Sequence, residues 1–136
     1  MVLPLELPRY RCQAIGIAGV QAATPSTGFV APVLRSESAN FTTGVAIVAT
    51  ESTATLSMTL RNQEGMPVPN GTVSVTIPAN GHISKFIQEL FANADTREFQ
   101  GTLSVMTDEG LLAGIAIQLG ARQGQFTTLP VISTIR

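Results

Sequence analysis

The sequence predicts an all-β protein: an antiparallel β-sandwich, Ig-like or jelly-roll-like, with one short amphipathic helix. Three observations point there. Apolar residues recur at every second position through most of the chain, which is the periodicity of a half-buried strand. Turn-forming Asn, Asp and Gly separate these runs at intervals of roughly 8 to 12 residues, the spacing of sandwiches and barrels. A single segment then departs from period two and follows a helical stripe instead.

Taken in order, residues 15–20 are apolar on both faces and read as a central strand, and residues 29–34 read as a further strand. Gly16-Ile17-Ala18, followed by Phe29 with Pro32-Val33, resembles Gly114-Ile115-Ala116, followed by Phe126 with Pro130-Val131. This weak internal repeat divides the chain into residues 1–35, a strand segment that reads as the tail of a preceding module or as strands that complete the sandwich or exchange with another copy, and residues 36–136, the module itself. Residues 44–49 are again apolar on both faces, with small Gly and Ala on a face where something packs closely.

The clearest alternation follows. Leu56, Met58 and Leu60 alternate with Thr55, Ser57, Thr59 and Arg61, and Val73, Val75 and Ile77 alternate with Thr72, Ser74 and Thr76. Leu103 and Val105 repeat the pattern against Thr102 and Ser104. Each such strand offers one face to a core and one to solvent. Asn62-Gln63-Glu64-Gly65 is expected to be a turn, Asn70-Gly71 a tight turn or bulge, and Asp108-Glu109-Gly110 a short hairpin loop with left-handed glycine. Between them Ile83, Phe86, Ile87, Leu90 and Phe91 fall at i, i+3, i+4, i+7 and i+8. This predicts a helix over 83–91, capped by Asn80, ended by Asn93, and docked through Phe86 and Leu90. Residues 112–119 and 126–132 are expected to close the sandwich.

Composition narrows the function classes. The chain has 136 residues, 12% of them charged, about half the usual share, so a partner, a neighbouring module or another copy is expected to cover some surface. A net charge of −1, with the basic residues scattered singly from Arg9 to Arg136, offers no electrostatic case for nucleic acid or anionic membrane. Cys12 is the lone cysteine, which removes intrachain disulfides and cysteine-rich zinc clusters. Residues 1–8 make a poor signal peptide, since Pro4, Glu6 and Pro8 break the apolar stretch. No run approaches the ~18 apolar residues of a membrane helix, and the expectation is a soluble chain.

Constellations for chemistry are sparse. Nucleophilic catalysis requires a base beside the nucleophile, oriented by a third group. The sole histidine, His82, has Ser84 nearby and no fixed acidic orienter in sequence. Asp95 with Glu98, and Asp108 with Glu109, are acidic pairs that lack the dense spacing of a calcium loop. The glycines follow neither nucleotide-binding pattern. No catalytic, metal or cofactor site is therefore expected. The sequons Asn40-Phe41-Thr42 and Asn70-Gly71-Thr72 carry little weight as chance matches. The most suggestive feature is a hydroxyl face: Thr53, Thr55, Ser57 and Thr59 on one side of a strand, and Thr72, Ser74 and Thr76 on one side of another. If these strands are neighbours, they form a flat, uncharged, hydrogen-bonding surface, although threonine is also simply favourable on a solvent-facing strand. Sugar-binding surfaces usually add aromatic platforms. Here there is no Trp and the one Tyr is Tyr10.

From Thr43 to Ile132 the order of features resembles a β-sandwich module of tandem-repeat type found in large bacterial surface and secreted proteins, without a settled function. The residues that carry the likeness are Thr43-Gly44-Val45-Ala46-Ile47, Leu60-Arg61 with Gly65, and Ile77-Pro78-Ala79. They continue through Phe86-Ile87-Gln88-Glu89-Leu90-Phe91 and Phe99-Gln100-Gly101-Thr102-Leu103, and close on Phe126-Thr127-Thr128-Leu129-Pro130-Val131. The resemblance implies a non-catalytic structural or interaction module, an extracellular or cell-surface setting, and a partner that is a protein, a neighbouring module or a second copy. A carbohydrate-binding or adhesive module is the alternative, and a hydrolase ranks below it.

Overall fold

The computed structural model describes residues 25–120 and 125–134. Residues 15–20, with the repeat's Gly16-Ile17-Ala18, and Cys12 and Tyr10 lie outside the described residues. Nine strands and one helical turn form two packed sheets: β1 (Gly28–Ser36), β2 (Thr42–Thr50), β3 (Ala54–Arg61), β4 (Pro67–Ile77), β5 (His82–Phe86), α1 (Ile87–Leu90), β6 (Glu98–Thr107), β7 (Leu111–Leu119), β8 (Phe126–Leu129) and β9 (Ile132–Ser133). The five-stranded sheet runs β4-β3-β6-β1-β9 and the four-stranded sheet β5-β2-β7-β8. The pairings are antiparallel. This is the all-β sandwich that the alternation predicts.

The core lies between the sheets and is built from every second residue. Leu56, Met58 and Leu60 of β3, Leu103 and Val105 of β6, and Phe29, Ala31 and Val33 of β1 line one side. Val45, Ile47 and Ala49 of β2 and Leu112 and Ala116 of β7 line the other. Gly114 of β7 packs directly against the ring of Phe29, leaving no room for a Cβ. A strand that alternates large apolar and polar residues has only one way to face such a core, which fixes its register.

β1 is an inner strand, pairing residue by residue with β6 from Gly28↔Met106 to Ser36↔Glu98. The expected division between residues 35 and 36 therefore falls at the last ladder pairs of a strand that completes the sandwich. Three expectations require correction. The helix over 83–91 is mostly strand: residues 82–86 form β5 on the edge of β2, from Gly44↔Phe86 to Val48↔His82, and only Ile87–Leu90 turns helical. Of its docking residues, Leu90 packs half-buried against the core, but Phe86 is exposed, and Ile87 and Phe91 are the fully buried anchors. Asn80 does not cap a helix; it takes a left-handed conformation (φ 62°) in the turn where the chain crosses from β4 to β5. Third, Asp108-Glu109-Gly110 joins β6 to β7 across the two sheets, so it is no hairpin, although Gly110 has the expected positive φ of 76°.

The expected strand over 126–132 divides at Pro130. β8 pairs with β7 in one sheet and β9 with β1 in the other. Proline has no N–H to give a ladder, so the chain changes sheets where the ladder would break anyway. Two expected punctuation marks are present. Asn62 accepts the backbone N–H groups of Glu64 and Met66 through its side-chain oxygen, each at 3.0 Å, closing the β3–β4 hairpin. Asn70-Gly71 forms an irregularity between the Thr59↔Thr72 and Arg61↔Pro67 pairs.

Candidate interaction surface

β3 drives its apolar residues inward, so its hydroxyls must point out, and the same holds for β4. The register then sets them directly opposite one another: Thr55↔Thr76, Ser57↔Ser74 and Thr59↔Thr72. Directly opposed side chains in an antiparallel pair have Cβ atoms about 4.5–5.5 Å apart. The Thr59 and Thr72 hydroxyls are 3.5 Å apart, a long hydrogen bond that leaves capacity for other partners. Thr53, the remaining candidate, is exposed but precedes β3 and lies outside this ladder.

The surface is wider than the alternation of β3 and β4 alone suggests. β6 lies on the other side of β3, with Thr59↔Ser104 and Arg61↔Thr102. A row of hydroxyls, Thr72–Thr59–Ser104, therefore spans three strands before it meets Val30 of β1 and Ile132 of β9. Thr102 and Ser104 were readable as outward-facing, but only pairing could place them beside Thr59. Arg61 stands at one end, its guanidinium donating to the Gly65 carbonyl at 3.2 Å. Across the middle of the sheet the hydroxyls give way to Met106, Val30 and Pro32, so the face is polar on the β4 side and apolar on the β1 side. β4 is the edge strand, and its Pro67, Pro69 and irregularity at Asn70 blunt the unpaired edge.

The candidate catalytic and cation-binding groups fall elsewhere and apart. His82 starts edge strand β5, opposite Val48, and is exposed. Ser84 is two residues along the same strand, roughly 7 Å away by strand geometry. Asp95 forms an exposed ion pair with Arg97, with two contacts of 3.0 Å. The hydrogen bond from the Arg97 side chain holds the Asp95 carboxyl down at about 2. Glu98 has other partners: it accepts the Ser38 N–H at 3.1 Å and the Ser36 hydroxyl at 2.7 Å. The Ser38 bond first, then the Ser36 bond, lowers its pKa. Asp95 and Glu98 thus serve two different structural contacts. Asp108 and Glu109 are exposed in the turn between sheets. Among the described residues no group of three or more His, Cys, Asp or Glu is placed to hold a metal ion, and no helix is long and apolar enough to cross a membrane.

The opposite face of the molecule was only partly foreseen. The outer side of the four-stranded sheet carries Gly44, Ala46 and Val48 from β2, and Ala113, Ile115, Ile117 and Leu119 from β7. Phe86 from β5 and Phe126 from β8 flank a groove of about 400 Å³ on it. Gly44 and Ala46 of the expected small-residue face lie on this side and line the groove, and the strand pairing was needed to gather these side chains into one face.

No family model and no curated protein matches the chain. Among solved structures, a crystal structure of Thermotoga maritima 1070 is similar, with a TM-score of 0.59 at 13% identity, covering 82% of this chain and 95% of that one. At that identity the likeness shows the fold alone.

Proposed function

We propose that this chain is a non-catalytic interaction module of a bacterial surface or secreted protein, engaging a protein surface through its hydroxyl ladder. The single observation that supports the reading most strongly is the register: three pairs of outward-facing hydroxyl residues stand directly opposed on β3 and β4, and β6 extends the row. A flat, nearly uncharged sheet face with many short donors and acceptors suits another flat protein surface, a neighbouring module or a second copy. Short Ser and Thr side chains lose little rotamer freedom when covered, which favours such contacts. The resemblance over 43–132 to bacterial surface modules supplies the setting.

Self-association is the form of the reading that this chain can test directly. Across a concentration series, amide shifts should move at residues 55–59, 72–76 and 102–104, while light scattering reports a rising mass. Placing an arginine on the ladder with Ser57→Arg should abolish both. The fold should remain, since exposed substitutions of this kind usually change stability by less than about 0.5 kcal/mol. Movement confined to other residues would remove the ladder from the interface. A carbohydrate-binding module is the second reading, because the same hydroxyls suit sugar hydroxyls. The described part of this face lacks an aromatic platform, as Phe86 and Phe126 lie on the opposite sheet. Hits on a glycan array, run with and without calcium, would favour the carbohydrate reading. A hydrolase would show itself as a measured activity lost in His82→Ala.

A further inference from the structure

Arg35 occupies a position that its strand otherwise reserves for apolar residues. The alternation that buries Phe29, Ala31 and Val33 puts it on the core side of β1, opposite Phe99. Its side chain is half-buried and lines a pocket between α1 and the loop leading to β6. One guanidinium nitrogen donates to the hydroxyl of Thr96, itself buried, at 2.8 Å. That bond orients the group, but a hydroxyl is neutral and leaves the charge unpaired. The remaining N–H donors of Arg35 have no partner among the described residues.

The carboxylates around it are committed elsewhere. Among the described residues the one ion pair joins Asp95 to Arg97. The Asp95 carboxyl is lowered first by its hydrogen bond from Arg97 and least by Arg35, so Asp95 is not the counter-ion of Arg35. Glu98 accepts from Ser36 and Ser38. Taking a cation partly out of water costs free energy, which an anion held by further hydrogen bonds recovers. A half-buried guanidinium with spare donors and no carboxylate partner is therefore a place where an anion is favoured.

The pocket encloses about 380 Å³ and gathers further donors. Gln88 of α1 accepts the Thr42 hydroxyl through its side-chain oxygen at 2.7 Å, which leaves its NH2 group without a partner among the described residues. Asn93 adds a second amide from the loop. The lining carries two positive charges, Arg35 and Arg97, against one negative, Asp95. The adjoining hollow brings Glu37 and Glu98 close by. That balance suits a singly charged anion and opposes a doubly charged one. A carboxylate carries one charge at neutral pH, and its two oxygens match the planar fork of a guanidinium with parallel hydrogen bonds. A phosphate monoester, at about −1.5 to −2, meets the same donors but also the repulsion of the neighbouring carboxylates.

We infer that this pocket binds a carboxylate, with Arg35 as its two-pronged donor and the Gln88 NH2 group beside it. The inference is independent of the hydroxyl ladder, which lies on the outward side of β3, β4 and β6. The test titrates the full, isotope-labelled chain with sodium acetate, against sodium chloride at matched ionic strength. Acetate should shift the Arg35 Nε signal and the amides of residues 93–97 along a saturating curve that chloride does not reproduce. Arg35→Lys keeps the charge but loses the fork, and should weaken binding roughly tenfold. Gln88→Glu keeps an oxygen for Thr42 and adds a negative charge to the pocket, so it should abolish the shifts with the rest of the spectrum retained. A response no different from chloride, an undiminished response in Gln88→Glu, or tighter binding of methyl phosphate than of acetate overturns the inference. A peptide with blocked ends and a single glutamate separates two sources of the same chemistry. Tighter binding than acetate assigns the carboxylate to a protein side chain, and equal binding to a free small acid; either supports the site.

Discussion

Thr43 turns its hydroxyl into the sandwich where the edge of β1 has lost its neighbour. β9 covers only Phe29 and Val30, so the outward-pointing backbone groups further along β1 need another solution. Pro32 has no N–H to leave unpaired. Leu34, the next position aimed that way, donates its N–H to Thr43 Oγ1 at 2.9 Å, and its carbonyl accepts from Gln118 Nε2 at 3.1 Å or from the Thr43 hydroxyl. Thr43 is fully buried, so removing its oxygen strands a backbone donor without water. Thr43→Val should therefore cost about 1–3 kcal/mol in denaturant unfolding, despite its nearly identical shape. A neutral result would show that Gln118 alone satisfies this edge. Gly114 makes a second point at this scale. An added Cβ would lie 2.5 Å from the Phe29 ring, so Gly114→Ala should cost about 1–3 kcal/mol by overpacking. In sequence Gly114 is merely small, and Thr43 merely a β-branched residue at a strand start. Neither role is legible before the sheets are stacked.

At the scale of elements, strands with one solvated face were legible and those shared between competing patterns were not. β3, β4 and the ladder half of β6 alternate strictly, which fixes both the strand and the side it buries. That is why six of the seven hydroxyl candidates fall on the ladder, with Thr53 alone beyond its end. Residues 83–91 fit a helical stripe equally well, yet β5 forms because the edge of β2 offers residues 82–86 a ladder from Val48 to Gly44. An isolated helix of about ten residues has little stability in water, so that ladder decides the outcome. What remains helical is one turn, with the Glu89 carboxylate accepting the Phe86 N–H at 2.8 Å. The two readings place the anchor differently: the stripe assigns it to Phe86, the structure to Ile87. Ile87→Ala should lose about 2–5 kcal/mol, in the range of buried large-to-small changes. Phe86→Ala should lose clearly less when both are unfolded in urea. The reverse order would restore the helix over 83–91.

The molecule interleaves its sheets, and among the described residues only β3–β4 and β7–β8 are hairpins between sequence neighbours. The other connections cross the sandwich, and nothing in a turn sequence distinguishes a crossing from a hairpin. The crossing between β1 and β2 is held by a charge. Glu98, at the start of β6, accepts from Ser38 N–H and the Ser36 hydroxyl, and Ser36 Oγ in turn accepts from Ala39 N–H. This ties the turn from the five-stranded to the four-stranded sheet onto the strand beside it. Its acid dependence follows from the direction of the shift. The folded state lowers Glu98 below its ordinary value of 4.5 and Asp95 from 3.8 to about 2. Each carboxylate therefore favours the folded state above its unfolded value, and that contribution fades as pH falls through the lowered, folded value. Unfolding measured from neutral pH downward should hold level until about pH 5 and then decline. Glu98→Gln, which keeps the shape but not the charge, should lie below the native chain at pH 7 and converge with it as the native carboxylate protonates. Both groups are solvent-exposed, so salt should narrow the gap at pH 7. A gap that persisted unchanged at pH 2 would mean that the amide disrupts the turn by geometry, and that the charge does not hold the crossing.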